Sequence, residues 1–330
     1  MPRNTTMRAL RQTSLGGPKD MRLVTDALVP TPGPAQVLIR VVVAGVNYAD
    51  VMQAHGSYDG GPRAPYLAGF EAAGVVVAVG ASVAGIDIGD HVLGTGYGAF
   101  AEYMALSADA VVPVPANWTD EQALGLVLNS ATALAALKPL GRVARGETVV
   151  IHAAAGGVGQ AAIRMAKHYG STVIAVAAAD KHGRVRSLGA DHAIDSRHRD
   201  IAGEVVGLTD GVGADLVLGS VGGPAFSASL AMTRRITGRL IVYGVAGGEA
   251  AVTNWELNFK HQVHLIGLHI GVLMGSAPAL FRRLWDDLLG LVATGVVPPG
   301  EPTVYDLADG PQALARLAAR STVGKLALRP

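Results

Sequence analysis

The stretch from Glu147 to His168 constrains this 330-residue chain more than any other. The β-formers Thr148-Val149-Val150-Ile151 run through His152 into Ala153-Ala154-Ala155-Gly156-Gly157-Val158-Gly159, and Gly157–His168 carries a helical pattern. A glycine-rich turn between a strand and a helix is the setting in which a G-x-G-x-x-G loop takes the pyrophosphate of a dinucleotide. Gly156 would let the backbone approach the anion, and Gly159 would let the helix pack close to the strand. The amides that open the helix, at the positive end of its dipole, then hold the negative charge. Ala154 stands where the template has its first glycine. Such turns also occur as plain connectors, so the surrounding pattern has to decide.

That pattern alternates. Strands are expected over Glu147–His152, Thr172–Ala177, Asp191–Ile194, Ala214–Gly219, Arg239–Tyr243 and Val263–Leu268. Helices are expected over Gly157–His168, Lys181–Leu188 and Pro224–Met232. Strands apolar on both faces and separated by helices require a parallel sheet covered on both sides, a doubly wound α/β domain. From about residue 21 to 115 the character differs: short β-branched runs at Val37–Ala44, Gly74–Val79, His91–Leu93, Ala101–Leu106 and Val111–Val114 follow one another with no convincing helix. Thr119-Asp120-Glu121 starts the first good helix and marks the boundary. Ala279–Val292 reads as a helix, a second helix follows Gly310-Pro311, and Lys325–Leu328 reads as a last strand.

Composition removes whole classes of function. Half the residues are hydrophobic and 16% charged, which excludes disorder and calls for a large core. Lys and Arg total 27 against 26 acids, with no long basic run, so neither nucleic acid nor an acidic membrane is an expected partner. There is no cysteine, hence no disulfide, thiol nucleophile, Cys-ligated zinc or iron–sulfur cluster. Met1–Gly17 is polar and lacks a secretory core. His261–Phe281 has no Asp, Glu, Lys or Arg, yet its three His, three Gly and Pro278 favour a buried strand, a turn and a helix start over a membrane span. A cytoplasmic protein is expected.

Further segments carry a resemblance. They are Ala44-Gly45-Val46-Asn47-Tyr48-Ala49-Asp50, Gly56-Ser57-Tyr58, Gly69-Phe70-Glu71-Ala72-Ala73-Gly74-Val75-Val76, Gly89-Asp90-His91-Val92, Tyr97–Tyr103 and Asp215–Gly223. With the glycine loop, this ordered set resembles the medium-chain dehydrogenase/reductase superfamily, and within it the zinc-free quinone oxidoreductase (zeta-crystallin-like) branch. The resemblance spans most of the chain from about residue 20. It implies a GroES-like β-barrel catalytic domain over 1–127 and 271–330 and a Rossmann cofactor domain over 128–270, with the active site in the cleft between them. Asn47 and Phe70 stand where zinc-dependent relatives keep a thiolate and an imidazole, and neither completes a zinc site.

NADPH is the expected cofactor. The end of the second strand, Val176-Ala177-Ala178-Ala179, carries no acid for the ribose hydroxyls. Lys181 follows where NADPH-using relatives keep a basic residue for the 2′-phosphate, and Arg320 matches another basic position able to reach the adenosine end. Both also fit ordinary surface charge, and Asp180 beside the lysine and Ser196 depart from the relatives' pattern. The resemblance adds Asn47, Thr132, Ala154, Gly156, Gly157, Val158, Gly159, Ser220, Gly222, Tyr243, Gly244, Val245, Leu268 and His269 as cofactor contacts. Tyr58 is the candidate proton donor, or else lines the cleft. Asn47 is a neutral donor that orients nicotinamide or substrate, or else a turn-stabilising amide. Relatives commonly keep an Arg where Ala54 stands, so the cation that would bind a substrate anion there is missing from this sequence.

Three functions stay open. The first is hydride transfer from NADPH to a quinone. The second is reduction of an enoyl or alkenal double bond. The third, from another class, is an NADPH-holding protein with a structural or RNA-binding duty, against which the balanced charge argues. Relatives often form homodimers through an edge strand, and Val263–Ile270 is the candidate edge.

Overall fold

The computed structural model describes residues 5–330, so the first four residues of the Met1–Gly17 segment lie outside it. The chain divides into two compact units, Met1–Val127 with Pro299–Pro330, and Leu128–Pro298.

The first unit is built mainly from antiparallel strands joined by short turns. Strands β1 (Thr6–Gln12) and β2 (Met21–Leu28) pair with each other, and β1 also pairs with β4 (Tyr66–Leu67). The main sheet is centred on β3 (Gln36–Val46), flanked by β5 (Glu71–Val79), β6 (His91–Thr95), β7 (Tyr103–Ser107) and β8 (Val111–Pro113). Its core gathers Ile39, Val41, Val76 and Phe100. One helix was not expected here: α1 (Tyr48–Ala54) follows β3 directly. Asn47 caps it, donating its backbone N–H to Asp50 Oδ2 at 2.7 Å. A cap at this position stabilises a two-turn helix too short to show a clear apolar period. The short helix α2 (Asp120–Ala123) opens on a Thr119–Gln122 capping box, at the start predicted for it.

In the second unit α3 (Ala131–Leu137) precedes β9 (Thr148–Ile151), α4 (Gly157–His168), β10 (Thr172–Ala177), α5 (His182–Ser187), β11 (His192–Asp195), α6 (Ile201–Leu208), β12 (Leu216–Gly219), α7 (Gly223–Met232), β13 (Arg239–Val242) and β14 (His264–Gly267). All six strands are parallel, in the order β11-β10-β9-β12-β13-β14. Counted from the first strand, that is the 3-2-1-4-5-6 order of a dinucleotide-binding sheet. Val150, Ile174, Val217 and Leu240 lie in its core.

Two expectations are corrected. The boundary expected at 270–271 falls instead after Pro298, because α8 (Ile270–Ser276) and α9 (Pro278–Ala293) belong to the second unit. The α9 stripe of Leu284, Trp285, Leu288 and Leu291 is buried, and the helix packs on α3. The strand near 263–268 is not buried as expected: it is the sheet's outer edge, the place also expected for Val263–Ile270, with Leu265 37% exposed. No helix among the described residues is long and apolar enough to cross a membrane. The chain then completes the first unit with β15 (Thr303–Asp306), α10 (Gly310–Ala318) and β16 (Leu326–Arg329), which pairs antiparallel with β3.

Candidate active site

In the second unit the carboxyl ends of the strands carry the loops named from the sequence. Ala154 donates its backbone N–H to Val176 O at 3.1 Å, tying the glycine loop to β10. Gly156 caps α4, and an added Cβ there would meet one atom only, Ala153 O at 3.3 Å, so its missing side chain leaves a cradle. At Gly159 the opposite holds. A Cβ would lie 2.6 Å from Ala153 O, Ala154 Cα and Ala154 O, so the helix rests directly on the loop backbone. The first amides of α4, including those of Gly157 and Val158, have no partner within the helix and are the donors an anion would meet.

Asn129 was missed from the sequence. It sits in a π-helical turn, Leu126–Ser130, just ahead of α3, and its Oδ1 would be 2.8 Å from a Cβ on Gly157. That oxygen is buried with no hydrogen-bond partner among the described residues. Thr132 is buried in α3, which packs on α4.

The loops after β12 and β13 pack on each other. Tyr243 N donates to Gly219 O at 3.0 Å, and a Cβ on Gly244 would lie 2.6 Å from Ser220 O. Gly222, at φ 73°, comes so near Val245 and Gly248 that a Cβ would be 2.2 Å from Gly248 O. Burial pushes the Tyr243 phenol up to about 12. Leu268 continues the ladder onto Val242 O at 2.8 Å, and His269 caps α8, its Nδ1 accepting from Val272 N at 3.1 Å. Just before the loop, burial pushes His152 down to about 4 and keeps it neutral.

Lys181 closes a short 3-10 turn after β10, and Arg184, on the following helix, donates twice to Gln160 Oε1 on α4, at 2.9 and 3.2 Å. Arg184 is a second cation on this side that the sequence left unremarked. Asp195, at the end of β11, is engaged by Arg197, whose backbone amide and guanidinium hold the carboxyl below its usual range.

In the first unit the end of β3 meets the start of β5. Glu71 is wholly buried, and its Oε2 accepts from Lys325 Nζ at 2.5 Å and Asn47 Nδ2 at 3.1 Å. Asn47 Oδ1 in turn accepts from Lys325 Nζ at 2.7 Å. Asp50, close by and buried, is pushed up to about 7 by the loss of water around it. Tyr58 is half-buried, and desolvation, with Tyr97 and Asp50 adding to it, raises its phenol above the ordinary value, so it stays protonated at neutral pH. Phe70 meets Tyr97 edge-on at 5.6 Å. Arg320 follows α10 in this same unit.

Fold and loops together define a class: a GroES-like unit plus a dinucleotide-type sheet with its glycine loop at the mouth of α4. Residues 33–116 match the family described as an alcohol dehydrogenase GroES-like domain, and 157–289 the family described as a zinc-binding dehydrogenase. The chain belongs to the medium-chain dehydrogenase/reductase superfamily, in its quinone oxidoreductase (zeta-crystallin-like) branch. It superimposes on a quinone oxidoreductase of Pseudomonas syringae with TM-score 0.92 and 31% identity, covering 98% of this chain and 100% of that one. The Escherichia coli quinone oxidoreductase complexed with NADPH gives TM-score 0.90 and 28% identity over 98% and 100%. CurK enoyl reductase gives TM-score 0.89 and 28% identity over 98% and 99%. Among curated proteins, a mycocerosic acid synthase-like polyketide synthase of Mycobacterium tuberculosis is 36% identical over 302 residues, 90% of this chain. The chain spans only 14% of that relative's length.

The donors present do not fit a catalytic zinc. Asn47 and Phe70 supply neither thiolate nor imidazole, and the oxygens of Asn47 and Glu71 are engaged by the Lys325 ammonium. An ammonium already bonded to Asn47, at one of the two ligand positions, does not fit beside zinc. No group of three or more His, Asp or Glu able to hold a metal occurs among the described residues.

Proposed function

We propose that the chain is an NADPH-dependent oxidoreductase acting without zinc on a quinone or similar conjugated carbonyl. When bound, NADPH supplies the hydride. The observation that carries this reading is the glycine loop at the mouth of α4, where the missing Cβ of Gly156 leaves room beside the first amides and Gly159 seats the helix on the loop backbone. Gly156, Gly157, Val158 and Gly159 hold the pyrophosphate, and Lys181, with Arg184 nearby, receives the 2′-phosphate. Arg320 serves the adenosine end. Thr132, Ala154, Ser220, Gly222, Tyr243, Gly244, Val245, Leu268 and His269 line the cofactor. The protein is cytoplasmic, where the lack of cysteine costs nothing. The first test is a spectrophotometric panel of benzoquinone, naphthoquinone and short enones with NADPH; no oxidation with any of them sinks the reading.

Lys181→Ala is expected to weaken NADPH binding about tenfold and leave NADH unchanged, since one charge-assisted pair to the extra phosphate is worth about 1.4 kcal/mol or more. Initial rates with the two cofactors check it, and equal losses for both would count against a phosphate role.

A second reading, enoyl or alkenal reduction, draws on the likeness to CurK enoyl reductase and on the raised phenol of Tyr58. A neutral phenol can give its proton to the enolate that hydride addition creates. Tyr58→Phe then lowers enone turnover about a hundredfold while quinone turnover changes little. Unchanged enone rates would remove Tyr58 from the reaction.

The exposed edge strand β14 supports a homodimer paired along that edge. A light-scattering mass of a single chain would rule it out.

A further inference from the structure

The proposed reaction asks nothing of two charged groups inside the first unit. Glu71 is fully buried and the Lys325 side chain is 11% exposed, yet they form an ion pair at 2.5 Å. The remaining bonds run through Asn47. Its Oδ1 takes Lys325 Nζ at 2.7 Å, and its Nδ2 gives one hydrogen to Glu71 Oε2 at 3.1 Å. The other Nδ2 hydrogen reaches Gly45 O at 3.3 Å, the longest bond of the set. Glu71 Oε1 is held separately by the amide of Gly125 at 3.0 Å. Gly45 makes the room, since a Cβ there would lie 2.3 Å from Glu71 Oε2 and 2.9 Å from Lys325 Nζ.

The oxygen and nitrogen of an asparagine amide are almost the same size, so only its partners decide which way round it sits. Here a cation faces the oxygen and a carboxylate faces the nitrogen. Turned over, the amide would set N–H against ammonium and carbonyl oxygen against carboxylate, repelling on both sides. A buried ion pair is poor evidence of stabilisation, because apolar residues of similar volume fill such a space as well or better. Apolar residues could not orient an amide.

We propose that Lys325 is a positioning residue: its ammonium, with Glu71 as counter-ion, fixes the amide of Asn47 so that the hydrogen held loosely by Gly45 O is offered to a ligand oxygen. The orientation stands on geometry alone; its use in turnover rests on the oxidoreductase reading. The variant Lys325→Met with Glu71→Gln removes both charges without stranding either. Glu71→Gln alone is the milder form with the same expected direction.

The first readout needs no acceptor. The side-chain amide of Asn47, assigned by its loss in Asn47→Ala, should give one sharp ¹⁵N–¹H pair in the wild type and a broadened or doubled one in the neutral variants. An unchanged sharp pair overturns the proposal. The second readout is kinetic. The neutral double variant should lose about tenfold in kcat for NADPH oxidation, with NADPH affinity by fluorescence held within about twofold. Combined with Asn47→Ala it should be no slower than Asn47→Ala alone, because both act through one amide. Multiplying losses, or an undiminished kcat, overturn it. A wild type inactive with every acceptor would instead defeat the oxidoreductase reading, and the amide resonances would still decide the clamp.

Discussion

Gly159→Val is expected to weaken NADPH binding at least a hundredfold while the second unit stays folded. The added Cβ would start 2.6 Å from three backbone atoms of Ala153 and Ala154, and none can swing aside as a side chain could. Overpacking of this kind costs about 1–3 kcal/mol, relieved only by moving the helix off the loop. A shift of α4 carries its leading amides with it, and charge-assisted bonds to a phosphate tolerate little lengthening. The loss therefore appears in binding more than in folding. Titration of NADPH fluorescence gives the affinity, and circular dichroism confirms the fold. Gly207→Ala is the built-in control. It lies exposed in α6 with nothing within 4 Å of an added Cβ, so it should bind NADPH normally and gain about 0.5–1 kcal/mol of stability. A Gly159→Val protein that binds like the wild type would show that the close contact does not set the loop.

The same glycine shows what was legible in the sequence. A strand, a Gly-x-x-Gly turn and a helix fix their own geometry within a dozen residues, so the predicted helix Gly157–His168 has the bounds found in the structure. Glycine at 159 could be read as close packing because no other residue avoids the clash. The parallel sheet was equally readable, since its strands are apolar on both faces. What escaped the reading depends on partners far along the chain. Helix α1 is short and relies on its Asn47–Asp50 cap. Helices α8 and α9 are amphipathic wherever they pack, and nothing local in Leu284 or Leu288 says that the stripe faces α3. Glu71 and Lys325 were present as a motif residue and a strand end, but they are 254 positions apart, and only the pairing of β16 with β3 joins them. Asn129 gives no sequence signal, because its meaning comes from lying against Gly157.

Arg239→Met is expected to cost the second unit about 3 kcal/mol at neutral pH, and progressively less as the pH falls. Arg239 is 8% exposed at the amino end of β13. It grips Glu147 with both terminal nitrogens, Nη1 to Oε1 at 2.8 Å and Nη2 to Oε2 at 2.6 Å, and gives its Nε hydrogen to Gly141 O at 2.9 Å. The pair thus holds the segment after α3 and the entry to β9 against the start of β13, at the sheet end opposite the glycine loop. Methionine fills much of the volume but strands Glu147, and removing one partner of a largely buried pair costs about 3–5 kcal/mol. Burial alone would raise the Glu147 carboxyl; bonds from Arg239 and the Ala144 amide overcome it and hold the carboxyl below its usual value. A carboxylate whose folded value is lowered adds stability above its unfolded value, and that contribution fades as the pH drops through the folded one. In the variant the cation is gone, burial prevails, and Glu147 takes a proton at a higher pH. The difference between the two proteins should therefore be greatest near pH 7, start to close above about pH 4.5 as Glu147 of the variant takes its proton, and go on closing below it. His152, pushed down to about 4 by burial, makes both proteins acid-sensitive between about pH 6.5 and 4, and it cancels in the difference. Denaturant melts of both proteins at pH 7.5 and pH 4 measure it. A gap that stays constant across that range would assign the loss to the packing of the arginine stem, and the charge on Glu147 would then contribute nothing.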